Sequence, residues 1–325
     1  MSEWLPPVLT AFLVSFWLLF WLLRLRIALP LDHPNQRSLH ALPVPRIGGL
    51  GFLAGIGASL FWARPAGLDA LLLLALALAV LSWVDDWRGL SVRVRLPFHF
   101  AAAGLLVATS GLTDGLIAWP GLFALTLAVV WMTNLYNFMD GADGLAGGMT
   151  VSGFAVYAGA AWLGGDADLA RITGAIAAAG AGFLCFNFPP ARLFLGDVGA
   201  IPLGFLAAAL GLEGWRRGLW SPALPVLAFA PFIIDAGVTL LRRLLRGENA
   251  GQAHREHYYQ RLVRMGWSHR RLLIAVYPLM LVSAISAVWM AHSPGWQTTL
   301  ITIWGGLYVW GLAWVDRRWR GRVEN

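Results

Sequence analysis

Cysteine is nearly missing from this 325-residue chain: Cys185 is its single example, so no disulfide framework can form and no Cys/His cluster offers zinc spacing. Charge is scarce too, at 13% of residues against 58% hydrophobic. With 18 Trp, 17 Phe and a mean hydropathy of +0.65, the chain carries more apolar sequence than one soluble core needs. Alternating segments of about ten residues are absent, which excludes a transmembrane barrel. The apolar runs are instead continuous over roughly 17–25 residues, as membrane helices must be to satisfy their own backbone in lipid. Cys185 falls in such a run and reads as core or lipid-facing packing. The first run lacks a basic segment before it and a small-residue exit after it, and Arg24 and Arg26 follow directly. A retained helix is therefore expected rather than a cleaved signal.

Hydropathy predicts about eleven spans, near 5–23, 48–64, 68–84, 96–112, 116–134, 149–165, 170–187, 199–213, 222–241, 272–291 and 296–315. Lysine is absent, so all 24 basic residues are Arg. If the first helix runs from outside to inside, 20 of these 24 fall on inner segments, leaving Arg64, Arg171, Arg216 and Arg217 outside. That asymmetry also accounts for most of the +7 charge, so the basic balance reads as topology and not as nucleic-acid binding. The expected fold is all-α: one polytopic membrane domain over 1–325, N-terminus outside and C-terminus cytoplasmic.

Polar sequence is distributed just as unevenly. The outer connections TSGLTDG, GGDADL and AHSPGW are short and plain, whereas five inner segments, 31–49, 84–95, 134–148, 186–200 and 246–271, hold most of the chemistry-bearing side chains. They should converge on one face. Asp85 and Asp86 close the third span, Asp140 and Asp143 follow the fifth, and Asp197 precedes the eighth. Carboxylates at a membrane boundary must gain protons or find a cation. Oxygen ligands gathered near one point suit Mg²⁺, which completes its shell with waters and substrate phosphates. Asn137, Asp140 and Asp143 recur every three residues, so on a helical end they point to similar sides. Gly141 and Gly144 favour turns there and permit close approach to phosphate.

The set resembles the polyprenyl-phosphate N-acetylhexosamine-1-phosphate transferases, the membrane superfamily that includes the MraY and WecA enzymes. The matching elements are Asp85-Asp86 in DDWRGL, the stretch NLYNFMDGADGL with Asn134, Asn137, Asp140 and Asp143, Gly196, Asp197 and Gly199 in GDVG, and the basic loop HREHYYQR. They occur in family order between about residues 32 and 271. The resemblance implies transfer of a HexNAc-1-phosphate from a UDP-N-acetylhexosamine to undecaprenyl phosphate, with release of UMP. It also implies a bacterial inner-membrane protein with its site on the cytoplasmic face, room for a homodimer, and Mg²⁺ or alternatively Mn²⁺ as the ion.

Roles follow from the same resemblance. Asp197 is the expected metal ligand on the donor diphosphate. Asp85 and Asp86 would lie beside the acceptor phosphate, as base, nucleophile or shapers of the metal's field. Asn134, Asn137, Asp140 and Asp143 would bind the donor or support the metal, Asp143 as a catalytic group. His254, as a catalytic group, with His257 and Arg261, would meet the donor from the basic loop, where Tyr258 and Tyr259 pack either on a uracil or sugar face or on the loop's own core. Arg46 is expected at a phosphate, with an anionic-lipid anchor as the alternative; Arg37 and His40 share its loop. His99 stands alone and reads as helix packing. Asp235, deep in the ninth span, is either functional or paired with a neighbouring helix.

Two departures narrow the branch. Trp87, Arg88 and Gly89 occupy the place where some members carry a third acid. The last loop has H-x-x-H in place of the run of adjacent histidines in MraY-type enzymes. The sequence is therefore more similar to the WecA-like branch that starts O-antigen and related surface glycans, whose donors include UDP-GlcNAc, UDP-FucNAc and UDP-QuiNAc. The competing class is a multi-span transporter or ion-coupled channel. Its coupling residues should lie near the midplane within an internal repeat, whereas these acids lie at one face and no repeat is evident.

Overall fold

The computed structural model describes residues 4–25, 29–32, 42–62, 64–112, 119–248 and 254–323. Arg26, Arg37 and His40 lie outside them. Helices dominate: α1 (Leu5–Arg24), α2 (Gly48–Ser59), α3 (Asp69–Arg88), α4 (Val92–Thr109), α5 (Trp119–Phe138), α6 (Leu145–Leu163), α7 (Ala167–Asn187), α8 (Asp197–Arg216), α9 (Ala223–Ala228), α10 (Ala230–Leu245), α11 (Tyr258–Arg264), α12 (His269–His292) and α13 (Gln297–Val323). Two short strands, β1 (Leu31–Asp32) and β2 (Val44–Pro45), form an antiparallel pair before α2.

Every predicted run carries helix, and eight helices among the described residues are long and apolar enough to cross a membrane. Three runs differ. The 48–64 run yields only α2, which at 1.5 Å per residue is about 18 Å long, short of a hydrocarbon core of about 30 Å. α6 starts at Leu145, four residues earlier than expected, and its Gly, Ser and Thr content lowers its hydropathy. The ninth run is broken at Phe229 into α9 and α10, with Pro225 and Pro231 on either side of the break.

α6, α7 and α8 form the centre, each with most of its residues buried. Of an 18-residue window, 78% is buried in α8 and 61% in α7, against 22% in α1. α1 shows how a membrane helix sorts its faces where apolar residues dominate both. Leu5, Leu9, Leu13, Trp17 and Trp21 stand exposed every fourth residue, while Pro7, Ala11, Ser15 and Leu19 are buried. Small residues let backbones approach: a Cβ on Gly55 would lie 2.4 Å from the Ala11 carbonyl oxygen, and one on Gly182 2.8 Å from that of Phe12. Ser15 Oγ donates to the Ala179 carbonyl at 2.9 Å, fixing α1 on α7. Cys185 lies on an exposed face of α7, the lipid-facing one of its two expected settings.

At the opposite end from the acidic segments, Arg171 pairs with Asp168, Arg216 with Glu213, and Arg217 with Asp166 and Glu213. These arginines are neutralised locally and leave little net positive charge there.

Candidate functional site

Two helix ends build the centre of the site. α3 stops at Gly89, whose left-handed backbone (φ 66°) places its N–H on the Asp85 carbonyl at 2.8 Å. Asp85 and Asp86 therefore occupy the last turn. α8 starts after Gly196 (φ 73°), where a Cβ would sit 3.0 Å from Asp86 Oδ2. The two ends interlock. Asp86 Oδ1 accepts from the Asp197 N–H at 3.2 Å and Oδ2 from the Val198 N–H at 3.0 Å, so Asp86 caps α8 with a side chain only 1% exposed.

Arginines stitch the remaining acids to this core. Arg95 Nη1 lies 2.6 Å from Asp85 Oδ2 and 3.0 Å from Asp197 Oδ2, so one guanidinium separates two neighbouring carboxylates. The other Asp85 oxygen accepts from the Leu90 N–H at 2.5 Å. Arg46 pairs with Asp32 at 2.6 Å and lies 3.9 Å from Asp86. Its backbone is held as firmly: Arg46 bridges to Phe194, and the Gly48 and Gly49 N–H groups donate to the Phe194 and Leu195 carbonyls at 2.9 and 2.8 Å. Gly49 meets Gly199 so closely that a Cβ on it would lie 2.4 Å from the Gly199 nitrogen.

Asp140, in the turn between α5 and α6, joins the same electrostatic field. Burial raises its pKa well above the ordinary carboxylate value, the Asp197, Asp32 and Asp86 charges raise it further, and Arg46 opposes them. Five carboxylates, Asp32, Asp85, Asp86, Asp140 and Asp197, thus share two arginines. The donor set is all oxygen, as a hard divalent cation requires. Among the described residues no three His, Cys, Asp or Glu side chains form a ready cage. A cation here would take one or two carboxylates and complete its shell from water and substrate, the usual habit of Mg²⁺.

Asp143 faces a second junction. His269 Nδ1, at the start of α12, lies 3.0 Å from Asp143 Oδ1, and the Ala191 N–H donates to Oδ2 at 3.0 Å. Burial works to raise the pKa of Asp143, but the His269 hydrogen bond and charge and the Ala191 N–H outweigh it and hold it below the ordinary value. The next residue is fixed as well: the Gly144 N–H donates to Asn187 Oδ1 at 2.9 Å, and Tyr277 OH to the Gly144 carbonyl at 2.8 Å.

The basic loop forms a third group. Asp235 accepts the Tyr258 and Tyr259 N–H groups at 2.8 and 2.9 Å, capping α11, with His257 Nδ1 3.3 Å away. Of the two expectations for Asp235, the structure shows the pairing with a neighbouring helix, at the start of α11. Tyr259 OH donates to the Phe138 carbonyl at 3.1 Å and ties α11 to the end of α5. His257 stacks on Phe138, with His254 4.8 Å beyond it. Arg261 does not reach the acids around Asp197. It is buried against Asp316 of α13 at 3.0 Å and lies over Tyr258, while Arg242 holds Asp316 bidentately at 2.7 and 2.6 Å.

Asn134 and Asn137 lie in the last turns of α5, helical where the span was expected to stop. Asn134 Nδ2 donates back to the Val130 carbonyl at 2.7 Å, and its side chain also contacts His99, so His99 packs with a polar partner. Sequence reasoning missed Arg95, Asp32, His269 and Asp316. The first three sit within inner segments already singled out, but as single residues among many arginines and loop polar groups they gave no periodic or motif signal.

The profile of Glycosyl transferase family 4 matches residues 68–214, which hold Asp85, Asp86, Asp140, Asp143 and Asp197. Beyond that window, a Bacillus subtilis (strain 168) protein named probable undecaprenyl-phosphate N-acetylglucosaminyl 1-phosphate transferase is 30% identical over 93% of this chain and 90% of its own. The chain belongs to glycosyl transferase family 4. Within the family it is also similar to the decaprenyl-phosphate N-acetylglucosaminephosphotransferase of Mycobacterium tuberculosis (strain ATCC 25618 / H37Rv), 31% identical over 83% of this chain and 78% of the relative. The undecaprenyl-phosphate alpha-N-acetylglucosaminyl 1-phosphate transferase of Escherichia coli (strain K12) is 28% identical over 89% and 84%. The family match and these relatives agree with the multi-pass helical fold and with the MraY/WecA-like superfamily read from the motifs.

Proposed function

We propose that this membrane protein transfers a HexNAc-1-phosphate from a UDP-sugar to undecaprenyl phosphate, giving undecaprenyl-diphosphate-sugar and UMP and starting a surface glycan of O-antigen type. The observation that carries this reading is the convergence of five polar segments through Arg46, Asp86, Arg95, Asp140, Asp143, Asp197 and Tyr259. The relatives' names support N-acetylglucosamine as the first sugar to try. In the proposed topology the N-terminus is outside, and the site faces the cytoplasm at the bacterial inner membrane.

In this reaction an oxygen of the acceptor phosphate attacks the donor's β-phosphorus, and the bond to the α-phosphate breaks to release UMP. The nucleophile is already an anion, so positioning and charge stabilisation set the rate. Mg²⁺, held by Asp197, would supply charge neutralisation on the diphosphate. The chain's own groups do the rest. Asp86 fixes the start of α8 and with it the aim of Asp197; Arg95 keeps Asp85 and Asp197 together against their repulsion. Arg46, the more exposed arginine, exchanges Asp32 for a substrate phosphate. His269 orients Asp143, and Asp235 places His254 and His257 over the end of α5 to meet the donor.

The test is UMP release by purified protein given undecaprenyl phosphate, Mg²⁺ and a panel of UDP-GlcNAc, UDP-FucNAc and UDP-QuiNAc, repeated with chelator. Chelator-sensitive release with one donor is expected and names the sugar. Folded, lipid-supplied protein that releases no UMP with any donor overturns the reading.

A further inference from the structure

α11, α12 and α13 meet at the end of the bundle that carries the acids, and two of their arginines flank a pair of touching indoles. Trp267, in the turn between α11 and α12, stands edge-to-face with Trp314 of α13, ring centroids 6.1 Å apart. Arg271 lies over Trp267 at 4.5 Å and Arg318 over Trp314 at 4.8 Å. The order is guanidinium, indole, indole, guanidinium. Each cation rests on the ring face whose quadrupole attracts it. Both arginines are exposed and both indoles half-buried.

Charge on this ladder is unbalanced. The nearby acids are committed elsewhere, Asp316 to Arg242 and Arg261, and Glu256 to Arg246. Among the described residues no carboxylate pairs with Arg271 or Arg318. A guanidinium stacked on a ring has given up rotamer freedom yet keeps its N–H edge for an anion, and phosphate accepts that fork bidentately. α12 and α13 are each long and apolar enough to cross the bilayer, and tryptophan at the end of such helices favours the headgroup level.

We propose that this ladder is a docking site for the phosphate of an anionic phospholipid from the surrounding bilayer. It is separate from the acidic cluster, which attracts a cation. Exposed arginines placed only by topology are the rival explanation, and Arg88 and Arg93 serve as the control. They are exposed, they flank the loop between α3 and α4, and among the described residues no indole stacks on them.

The full-length protein is reconstituted in phosphatidylcholine nanodiscs with a minority of phosphatidylglycerol, and the phosphatidylglycerol kept after extraction into detergent is counted by native mass spectrometry. Arg271→Gln with Arg318→Gln is expected to lower retention at least about tenfold. Arg88→Gln with Arg93→Gln should stay within about twofold, because a solvated charge is screened. Equal loss in the two pairs, or unchanged retention in the ladder pair, overturns the site. Unfolding temperature in phosphatidylcholine alone reports whether each variant folds. If the glutamine pair does not, Arg271→Lys with Arg318→Lys keeps the charge and removes the fork: a fall in retention supports the site, and wild-type retention refutes it.

Discussion

At the scale of single residues, the proposed reaction separates acids assigned to the reactants from acids that hold the protein. Asp197 is assigned to the first group. Asp197→Asn should lower metal-dependent UMP release roughly 100-fold or more while the protein stays folded; near-normal turnover would remove its assigned role. His269 orients Asp143, and His269→Ala should cost roughly 10- to 100-fold in turnover, with His269→Asn, which still offers an N–H, recovering part of it. Asp143 also makes a prediction with a sign. Its folded pKa lies below the ordinary value, so the stability it contributes is present above the unfolded value, about 4, and is lost as pH falls through the lower folded value. The difference in unfolding temperature between wild type and Asp143→Asn should therefore shrink as pH falls below about pH 4. A difference that stayed constant or grew between about pH 4 and about pH 2 would contradict the contacts that hold this carboxylate ionised.

At the scale of elements, the sequence placed acids at helix ends but not what those ends do to each other. The Asp85-Asp86 pair and Gly89 were legible as the close of a span. That Asp86 would cap α8, more than a hundred residues later, was not, because nothing local encodes a partner so distant. Asp235 is the same case. Hydropathy marked it as costly, and only the fold shows that it holds the start of α11. Asp235→Ala should raise hydrogen exchange across 258–264 while leaving α7 and α8 protected, and cost about 1–2 kcal/mol of local stability. Uniform exchange along the whole chain would instead mean that α11 does not move as a separate unit. The broken ninth span had a visible cause in Pro225 and Pro231, whereas the end of α2 at Ser59, with apolar Leu60, Phe61 and Trp62 following, was not marked by hydropathy.

For the whole molecule, composition and the continuous apolar runs made the helical membrane class plain, and the uneven arginines predicted an orientation that can be measured. In a Cys185→Ser background, His292→Cys should react with a membrane-impermeant maleimide in intact cells, and Arg88→Cys only after permeabilisation; the reverse pattern would invert the topology. The centre of the bundle was less legible, because α7 and α8 differ from the lipid-facing helices in how much of each is buried rather than in hydropathy. The two carboxylate caps also settle where an anionic reactant finds its attraction. The positive end of a helix macrodipole is a ready phosphate site, but the first N–H groups of α8 and α11 already donate to Asp86 and Asp235. Both dipoles are quenched by protein anions before any substrate arrives, so in the proposed reaction phosphate recognition is assigned to guanidinium groups and the proposed cation, and should weaken with ionic strength as their screening increases.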